Sequence, residues 1–141
     1  PEVAEVLGLA GILSAAEAYS IWRDTIEAAP EKMFPRILDR FRSGAQVSAT
    51  DYIAAWRRML AIRAIWADRV AGYDAVLMPT APILPTENLL ALRNTRIGSL
   101  MGVSALTLPT SQPSCGISLL AGAGEEGRLL RLGAAAEHAL R

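Results

Sequence analysis

The stretch AGYDAVLMPTAPILP, from Ala71 to Pro85, decides the fold that the sequence predicts. Gly72 follows a long helical pattern and accepts a left-handed backbone at little steric cost, so we expect the helix to end there. The apolar run from Ala75 to Met78 is typical of a short strand covered on both faces. Pro79 lacks a backbone donor and is expected to end that strand.

Composition and charge narrow the class of protein. The chain has 141 residues, 52% of them hydrophobic, and a formal net charge of zero. This length fits one domain, and the zero net charge gives no reason to expect nucleic acid or a membrane as partner. Because no apolar run reaches about 18 residues, no membrane span is predicted. The high hydrophobic content has two explanations, a buried helix-and-sheet core or a piece cut from a larger protein.

The first residue and the cysteine content add two expectations. The first residue is Pro1 rather than Met, so we expect the natural N-terminus to lie outside this sequence. The single cysteine, Cys115, excludes an internal disulfide framework, which suits a cytoplasmic protein.

The part before Gly72 is predicted to be helical. The predicted helices span about 14–28, 31–42 and 49–71. Ser14 and Glu17 have capping-box spacing at the start of the first helix, and Ser48 caps the third. Gly44 is expected to stop the second helix in a left-handed conformation. Arg63 falls beside the apolar stripe of the third helix, where we expect it to pair with an acid from another element.

The part from Gly72 onward alternates between strand and helix patterns. The predicted elements are a strand at 75–78, a helix at 89–101, strands at 105–108 and 117–120, and a helix at 125–140. A polar loop at 109–116 separates the last two strands. The whole is therefore an α/β chain in which a helical part (1–71) precedes a strand–helix–strand–strand–helix part (72–141).

A search for catalytic and metal-binding residues assigns none. His138 is the one histidine and lies near the end of the last predicted helix, where a solvated surface role is expected. Cys115 has no local histidine to activate it, and Lys32 has no nearby serine pattern. Gly122 and Gly124 match a tight strand–helix turn and lack the third glycine of a dinucleotide loop. No metal-ligand spacing occurs, and no cofactor is expected.

Several segments, in order, match the pattern of one known family. The segments GYDAVLMPTAP (72–82) and NTRIGSLMGVSALTLPT (94–110) resemble the "YDxxxxPTxP" stretch and the "N-x-x-G-x-PA-x-x-x-P" segment of the amidase signature family. The segment from Pro113 to Leu140 resembles its final strand, acidic loop and closing helix. The helical segments AAEAYSIWRD (15–24) and SATDYIAAWRRM (48–59) fit the same order. Two departures are Ser104, where the family often has proline, and the short interval from Ile83 to Arg93.

The resemblance covers the C-terminal third of such an enzyme. It implies a larger α/β/α domain with a mixed sheet, which hydrolyses a carboxamide to a carboxylate and ammonia. It also implies a Ser–Ser–Lys set, in which a lysine activates a nucleophilic serine through a second hydroxyl, together with an oxyanion hole. Those groups belong to the N-terminal part of the family, so this chain by itself is expected to be inactive.

Three residues are predicted to line the substrate cleft. The loop at 79–82, which includes Thr80, and the start of the helix predicted at 89–101 follow strand ends, where α/β proteins place ligands. Thr80, Asn94 and Thr95 are the residues predicted to line the cleft there. The alternative is that Thr80 caps its loop and Asn94 satisfies backbone groups.

Three functions stay open at this point. The first is an amidase that acts on a small amide, with the N-terminal catalytic part of the same protein as the partner of this chain. The second is the amidase-type subunit of a glutamine-dependent tRNA amidotransferase. The third is a non-catalytic scaffold that binds partners through apolar helix faces, and a homodimer is also among the expected assemblies.

Overall fold

The computed structural model describes residues 2–81 and 93–140. Their helices are α1 (Glu2–Ala28), α2 (Pro35–Arg42), α3 (Ala49–Val70), α4 (Arg93–Met101) and α5 (Glu126–Ala139), and their strands are β1 (Val76–Pro79), β2 (Ser104–Pro109) and β3 (Gly116–Ala121). Short 3-10 helices occur at Pro30–Lys32 and Ser43–Gln46. The predicted α/β class and the predicted element order are confirmed. The part of the predicted helix at 89–92 lies outside the described residues.

The chain forms two compact units, 1–61 and 62–141. The first contains α1, α2 and the beginning of α3. The second contains the end of α3, the three strands, α4 and α5.

Helix α1 is longer than the sequence predicts. It begins at Glu2 and runs through Gly8, Gly11 and Ser14 without a break. Ser14 is therefore not an N-cap, and that prediction was wrong. Its hydroxyl donates a 2.5 Å hydrogen bond to the carbonyl of Ala10, one turn earlier in the same helix. A serine side chain can satisfy a helical carbonyl as readily as an N-terminal amide, so its local pattern does not distinguish the two positions.

Among the described residues, α1 is the one helix that is long and apolar enough to cross a membrane. The qualifying segment is Ala4–Ala28; its most apolar 18-residue window has a mean hydropathy of 1.3, and 22% of that window is buried. The same length and composition occur in core helices of soluble proteins and in signal sequences. The feature is therefore weak support for a membrane span.

Gly44 lies where two segments of the first unit approach closely. It is buried in the 3-10 helix Ser43–Gln46, and its φ is not positive, so the predicted left-handed stop was wrong. A Cβ at this position would overlap the backbone carbonyl of Ala15 in α1. The position needs glycine because of a contact with α1, whereas the local turn itself makes no such demand.

The start of α3 follows the prediction. Ser48 accepts a 3.0 Å hydrogen bond from the backbone N–H of Asp51, and its hydroxyl donates to the Asp51 carboxylate at 2.6 Å. The first turn of α3 is thus capped by the side chain that precedes it. Further along α3, Met59 is fully buried in the core of the first unit, while Arg58 forms an ion pair with Glu5 of α1.

The second unit is built on a three-stranded antiparallel sheet in the order β1-β3-β2. Leu119 of β3 lies opposite Leu77 of β1 and Leu106 of β2. On this face the buried cluster comprises Leu108, Leu119, Ala121 and, from α5, Leu129. On the opposite face Gly98 of α4 packs close to Leu120 and Ala105, so that a helix covers each side of the sheet.

Strand β1 is less covered than its apolar sequence predicts. Leu77 is 61% exposed, so the expectation that both faces of β1 are buried was wrong for this chain. Gly72, with a φ of 133°, does make the predicted left-handed turn after α3. The sharp turn places the start of β1 close to the end of α3.

Candidate functional site

The residues predicted to line a cleft lie at the end of β1. Thr80 follows the last residue of β1 directly, and its N–H donates a 2.9 Å hydrogen bond to the carbonyl of Gly116. Asn94 lies in the first turn of α4, and its Nδ2 donates a 2.8 Å hydrogen bond to the carbonyl of Pro79. Thr95 is the next residue of α4 and is exposed. The fold therefore brings Thr80 and Asn94 together on either side of Pro79.

Three hydroxyl groups, which we call the hydroxyl row, cross the sheet at this point. Ser118 of β3 is 7% exposed, and its Oγ lies 2.9 Å from Thr80 Oγ1 on one side and 2.9 Å from Thr107 Oγ1 on the other. The row connects the residue that follows β1 to β3 and β2. It fixes the Thr80 side chain by a partner that is almost completely buried, which limits its rotation.

Gly116 makes room for Thr80. A Cβ on Gly116 would lie 3.1 Å from Thr80 Oγ1 and 3.3 Å from the carbonyl of Leu108. Gly116, Ser118 and Thr107 were not predicted as site residues. Ser118 could have been noticed in the sequence, because it is a polar residue within an otherwise apolar strand.

These hydrogen bonds agree with the alternative interpretation, in which Thr80 caps its loop and Asn94 satisfies a backbone carbonyl. The two interpretations are compatible, because a side chain that fixes a loop can also present that loop to a ligand. Substrate binding by Thr80, Asn94 and Thr95 stays a prediction.

A separate open cleft of about 400 Å³ lies at the other end of the sheet. Its walls are the end of α3, the turn at 71–75, the end of α4 and the residues that join β3 to α5. None of Thr80, Asn94 and Thr95 lines it. Because β1 and β3 are antiparallel, their carboxyl ends lie at opposite ends of the sheet. A prediction made from the carboxyl end of β1 alone therefore misses this cleft.

Two arginines form part of the wall of this cleft. Arg63 of α3 donates a 2.8 Å hydrogen bond from Nε to the carbonyl of Leu100 near the end of α4, where a cation is favoured by the helix dipole. Arg128 of α5 lies 3.1 Å from the Glu125 carboxylate and 4.0 Å from Asp74. The cleft therefore carries both signs of charge.

The start of α5 is connected to β2 by one polar contact. Ser104 is 7% exposed and donates a 2.8 Å hydrogen bond to the carboxylate of Glu126. The pKa of Glu126 is lowered, first because its carboxylate accepts a hydrogen bond from its own backbone N–H and second because it accepts the Ser104 hydroxyl. The serine that departs from the family pattern thus has a structural partner.

The cysteine and the histidine of this chain are both exposed. Cys115 is an exposed free thiol in the loop between β2 and β3, and His138 is exposed near the end of α5. Within residues 2–81 and 93–140 no group of three His, Cys, Asp or Glu side chains is placed to hold a metal ion.

Two solved structures share the fold of this chain. The chain superposes on a crystal structure of an amidase with a TM-score of 0.89 and 25% sequence identity, over 99% of this chain and 36% of that one. The chain has the fold of an amidase segment. The resemblance predicted from the sequence is confirmed, and a share of 36% agrees with the predicted extent of about one third.

A second solved structure shares the fold of this amidase-like chain. It is an inhibitor-bound, vestigial protein complex described as revealing the evolutionary origins of an s-triazine catabolic enzyme. The TM-score is 0.83 and the identity 20%, over 100% of this chain and 36% of that one. No protein-family model and no curated protein matches the sequence. The amidase-like chain thus spans little more than a third of either structure.

Proposed function

We propose that this chain is the C-terminal part of an amidase that hydrolyses a small carboxamide to a carboxylate and ammonia. The observation that carries the proposal is the superposition of almost the whole chain on part of an amidase, with 25% of residues identical. The ordered sequence segments at 72–82 and 94–110 support it independently.

The chemistry is assigned to residues that precede this chain. A lysine accepts the proton of the nucleophilic serine through the hydroxyl of a second serine. The nucleophile attacks the amide carbonyl and forms an acyl-enzyme, and the proton passes to the leaving nitrogen, which departs as ammonia. Water then hydrolyses the acyl-enzyme to the carboxylate. In this proposal the present chain contributes the loop after β1 and the start of α4 to the wall of the substrate cleft.

The local geometry supports that contribution. Thr80 is held by Ser118, and Asn94 is held by Pro79, so both side chains have fixed positions before a substrate arrives. A wall made of fixed groups loses less conformational entropy on binding than a mobile one does.

The test compares the 141-residue chain with the full-length product of the gene that encodes it. Ammonia release is measured for a panel of small carboxamides and for glutamine. We expect release by the full-length protein and none by the 141-residue chain, because the chain lacks the nucleophile and the base. Release by the chain itself, or a full-length protein inert towards all of these amides, would contradict the proposal.

The same assay separates the alternatives. Ammonia release from glutamine alone, in a protein that co-purifies with a partner subunit, would support the amidotransferase subunit. A full-length sequence without the serine–lysine set would support the non-catalytic scaffold. Neither alternative is favoured by a contact in the described part of the chain.

A further inference from the structure

The hydroxyl row ends in a side chain that is fixed on one side and keeps hydrogen-bonding capacity on the other. Thr80 Oγ1 lies 2.9 Å from Ser118 Oγ, and a Cβ on Gly116 would come within 3.1 Å of it. A hydroxyl group can donate one hydrogen bond and accept two. Within residues 2–81 and 93–140, the Thr80 hydroxyl has Ser118 as its one partner. It can therefore bind a further polar group while its own position stays fixed.

Asn94 offers a second group of the same kind beside it. Its Nδ2 is held by the carbonyl of Pro79, whereas its Oδ1 accepts no hydrogen bond from the described part of the chain. Thr80 directly follows Pro79, and both Thr80 and Asn94 are half-buried. A fixed hydroxyl and a fixed amide carbonyl together offer a donor and an acceptor to a polar group of a ligand.

Ser118 differs from these two residues because it is out of reach of a ligand. It is 7% exposed, and its Oγ has two partners, Thr80 Oγ1 and Thr107 Oγ1, each at 2.9 Å. A hydroxyl has one proton, so Ser118 donates to one of these neighbours and accepts from the other. Thr80 is the neighbour at the predicted cleft. Ser118 can therefore act on a substrate only through the Thr80 hydroxyl.

We propose that Ser118 is a positioning residue, which holds the Thr80 hydroxyl in the rotamer that binds a polar group of the amide substrate. The inference rests on the proposed function, in which the loop after β1 and the start of α4 form part of the wall of the substrate cleft. A threonine side chain has three staggered χ1 rotamers, and a hydrogen bond to a buried partner favours one of them.

This role also narrows the class of substrate. In the proposed function the groups that act on the scissile amide belong to the part of the protein that precedes this chain. Thr80 and Asn94 then serve a different polar group of the same molecule. The substrate class is a small carboxamide that carries a second hydrogen-bonding group.

The test measures the kinetics of Ser118→Ala in the full-length product of the gene, with the amide that the wild type hydrolyses best. We expect KM to rise by about three- to tenfold, as for the weakening of one hydrogen bond, and kcat to stay within about twofold. A hydrogen bond to a group that does not react is made equally in the ground state and the transition state, so its loss raises KM alone. Initial rates of ammonia release give both constants.

Ser104→Ala is the matched control. Ser104 is also 7% exposed, and its hydroxyl donates to Glu126 of α5 and takes no part in the hydroxyl row. The variant removes an equally buried serine hydroxyl, so a general loss of stability would affect both proteins. We expect its KM to stay within about twofold of the wild-type value.

A double variant tests whether Ser118 acts through Thr80. Thr80→Val removes the hydroxyl that Ser118 holds, and it should raise KM by itself. In that background Ser118→Ala should raise KM no further, because the two residues act through one hydroxyl and their effects are not additive. If Ser118→Ala does not fold, Ser118→Cys takes its place, since a thiol is a weak hydrogen-bonding group, and the same rise in KM is expected.

Each contrary result has a definite meaning. The inference is overturned by an unchanged KM in the Ser118 variant, by an equal rise in Ser104→Ala, or by a full further rise on top of Thr80→Val. A fall in kcat at constant KM overturns it as well. A wild-type protein that releases no ammonia defeats the proposed function and this inference with it, whereas an active wild type whose KM does not respond to Ser118→Ala defeats this inference alone.

Discussion

Asn94 Nδ2 donates a 2.8 Å hydrogen bond to the carbonyl of Pro79, and this contact joins the first turn of α4 to the end of β1. The two residues are separated in sequence by a segment that includes the undescribed residues 82–92. The hydrogen bond therefore joins the described residues on either side of that segment. It also occupies a carbonyl that would otherwise point out from the edge of the sheet.

Replacement of Asn94 by alanine should loosen this closure. We expect Asn94→Ala to lower the free energy of unfolding by about 0.5–1.5 kcal/mol, since one hydrogen bond is lost and water can reach the Pro79 carbonyl. Urea denaturation measures the change. The control is Ser99→Ala, an exposed position in the same helix, for which a change within about 0.5 kcal/mol is expected. Equal effects for both variants would mean that the contact does not stabilise the chain.

The two serines that the sequence predicted as N-caps should respond differently to alanine. Ser48→Ala removes the acceptor of the Asp51 N–H and is expected to cost about 1 kcal/mol. Ser14→Ala lies inside α1, where alanine is the better helix former, so a change within about 0.5 kcal/mol is expected. Thermal unfolding monitored by circular dichroism compares the two. A larger loss for Ser14→Ala would contradict the assignment of the helix starts.

This pair of serines shows which features the sequence could predict. The cap at Ser48 and the left-handed turn at Gly72 are local, because the residues that decide them are within a few positions. The same local pattern at Ser14 failed, since the preceding apolar residues form about three further turns of α1, in which Val6, Ala10 and Leu13 are buried. The local sequence pattern around Ser14 does not reveal that these residues are buried.

The location of the candidate site could be predicted from the sequence, whereas its hydrogen bonds could not. A strand pattern that ends in proline indicated that Thr80 lies at a strand end, and the structure places Asn94 beside the same strand end. The hydroxyl row was not predictable, because Ser118 meets Thr80 and Thr107 only through the register of β3 between its two neighbours. Register is decided by pairing between segments distant in sequence.

The hydroxyl row should depend on Ser118 most of all. Ser118→Ala leaves Thr80 Oγ1 and Thr107 Oγ1 without their shared buried partner, and we expect a loss of about 1–3 kcal/mol in the free energy of unfolding. Thr107→Ser keeps the hydroxyl and should cost less. If the serine variant at position 107 were as destabilising as Ser118→Ala, lost packing and not the hydrogen bonds would explain the effect.

Gly44 should tolerate no side chain. Gly44→Ala places a Cβ against the backbone carbonyl of Ala15. Relief of this overlap requires the backbone of α1 or of the 3-10 helix to shift. We expect a loss of about 1–3 kcal/mol. Gly11→Ala is the control, because a Cβ there meets nothing within 4 Å and alanine favours the helix by about 0.5–1 kcal/mol. A stable Gly44→Ala variant would show that the close approach to α1 is absent in solution.

The contact between Ser104 and Glu126 should give stability a dependence on pH. The folded-state pKa of Glu126 lies below its ordinary value, so the stabilisation is present above the unfolded pKa and is lost as the pH falls through the folded pKa. In Ser104→Ala the carboxylate keeps its backbone hydrogen bond and loses the hydroxyl, so the difference in stability between the two proteins should be larger at pH 7 than in acid. Urea denaturation across the acid range measures it. A difference that does not change with pH would show that Ser104 acts by packing and not through the charge of Glu126.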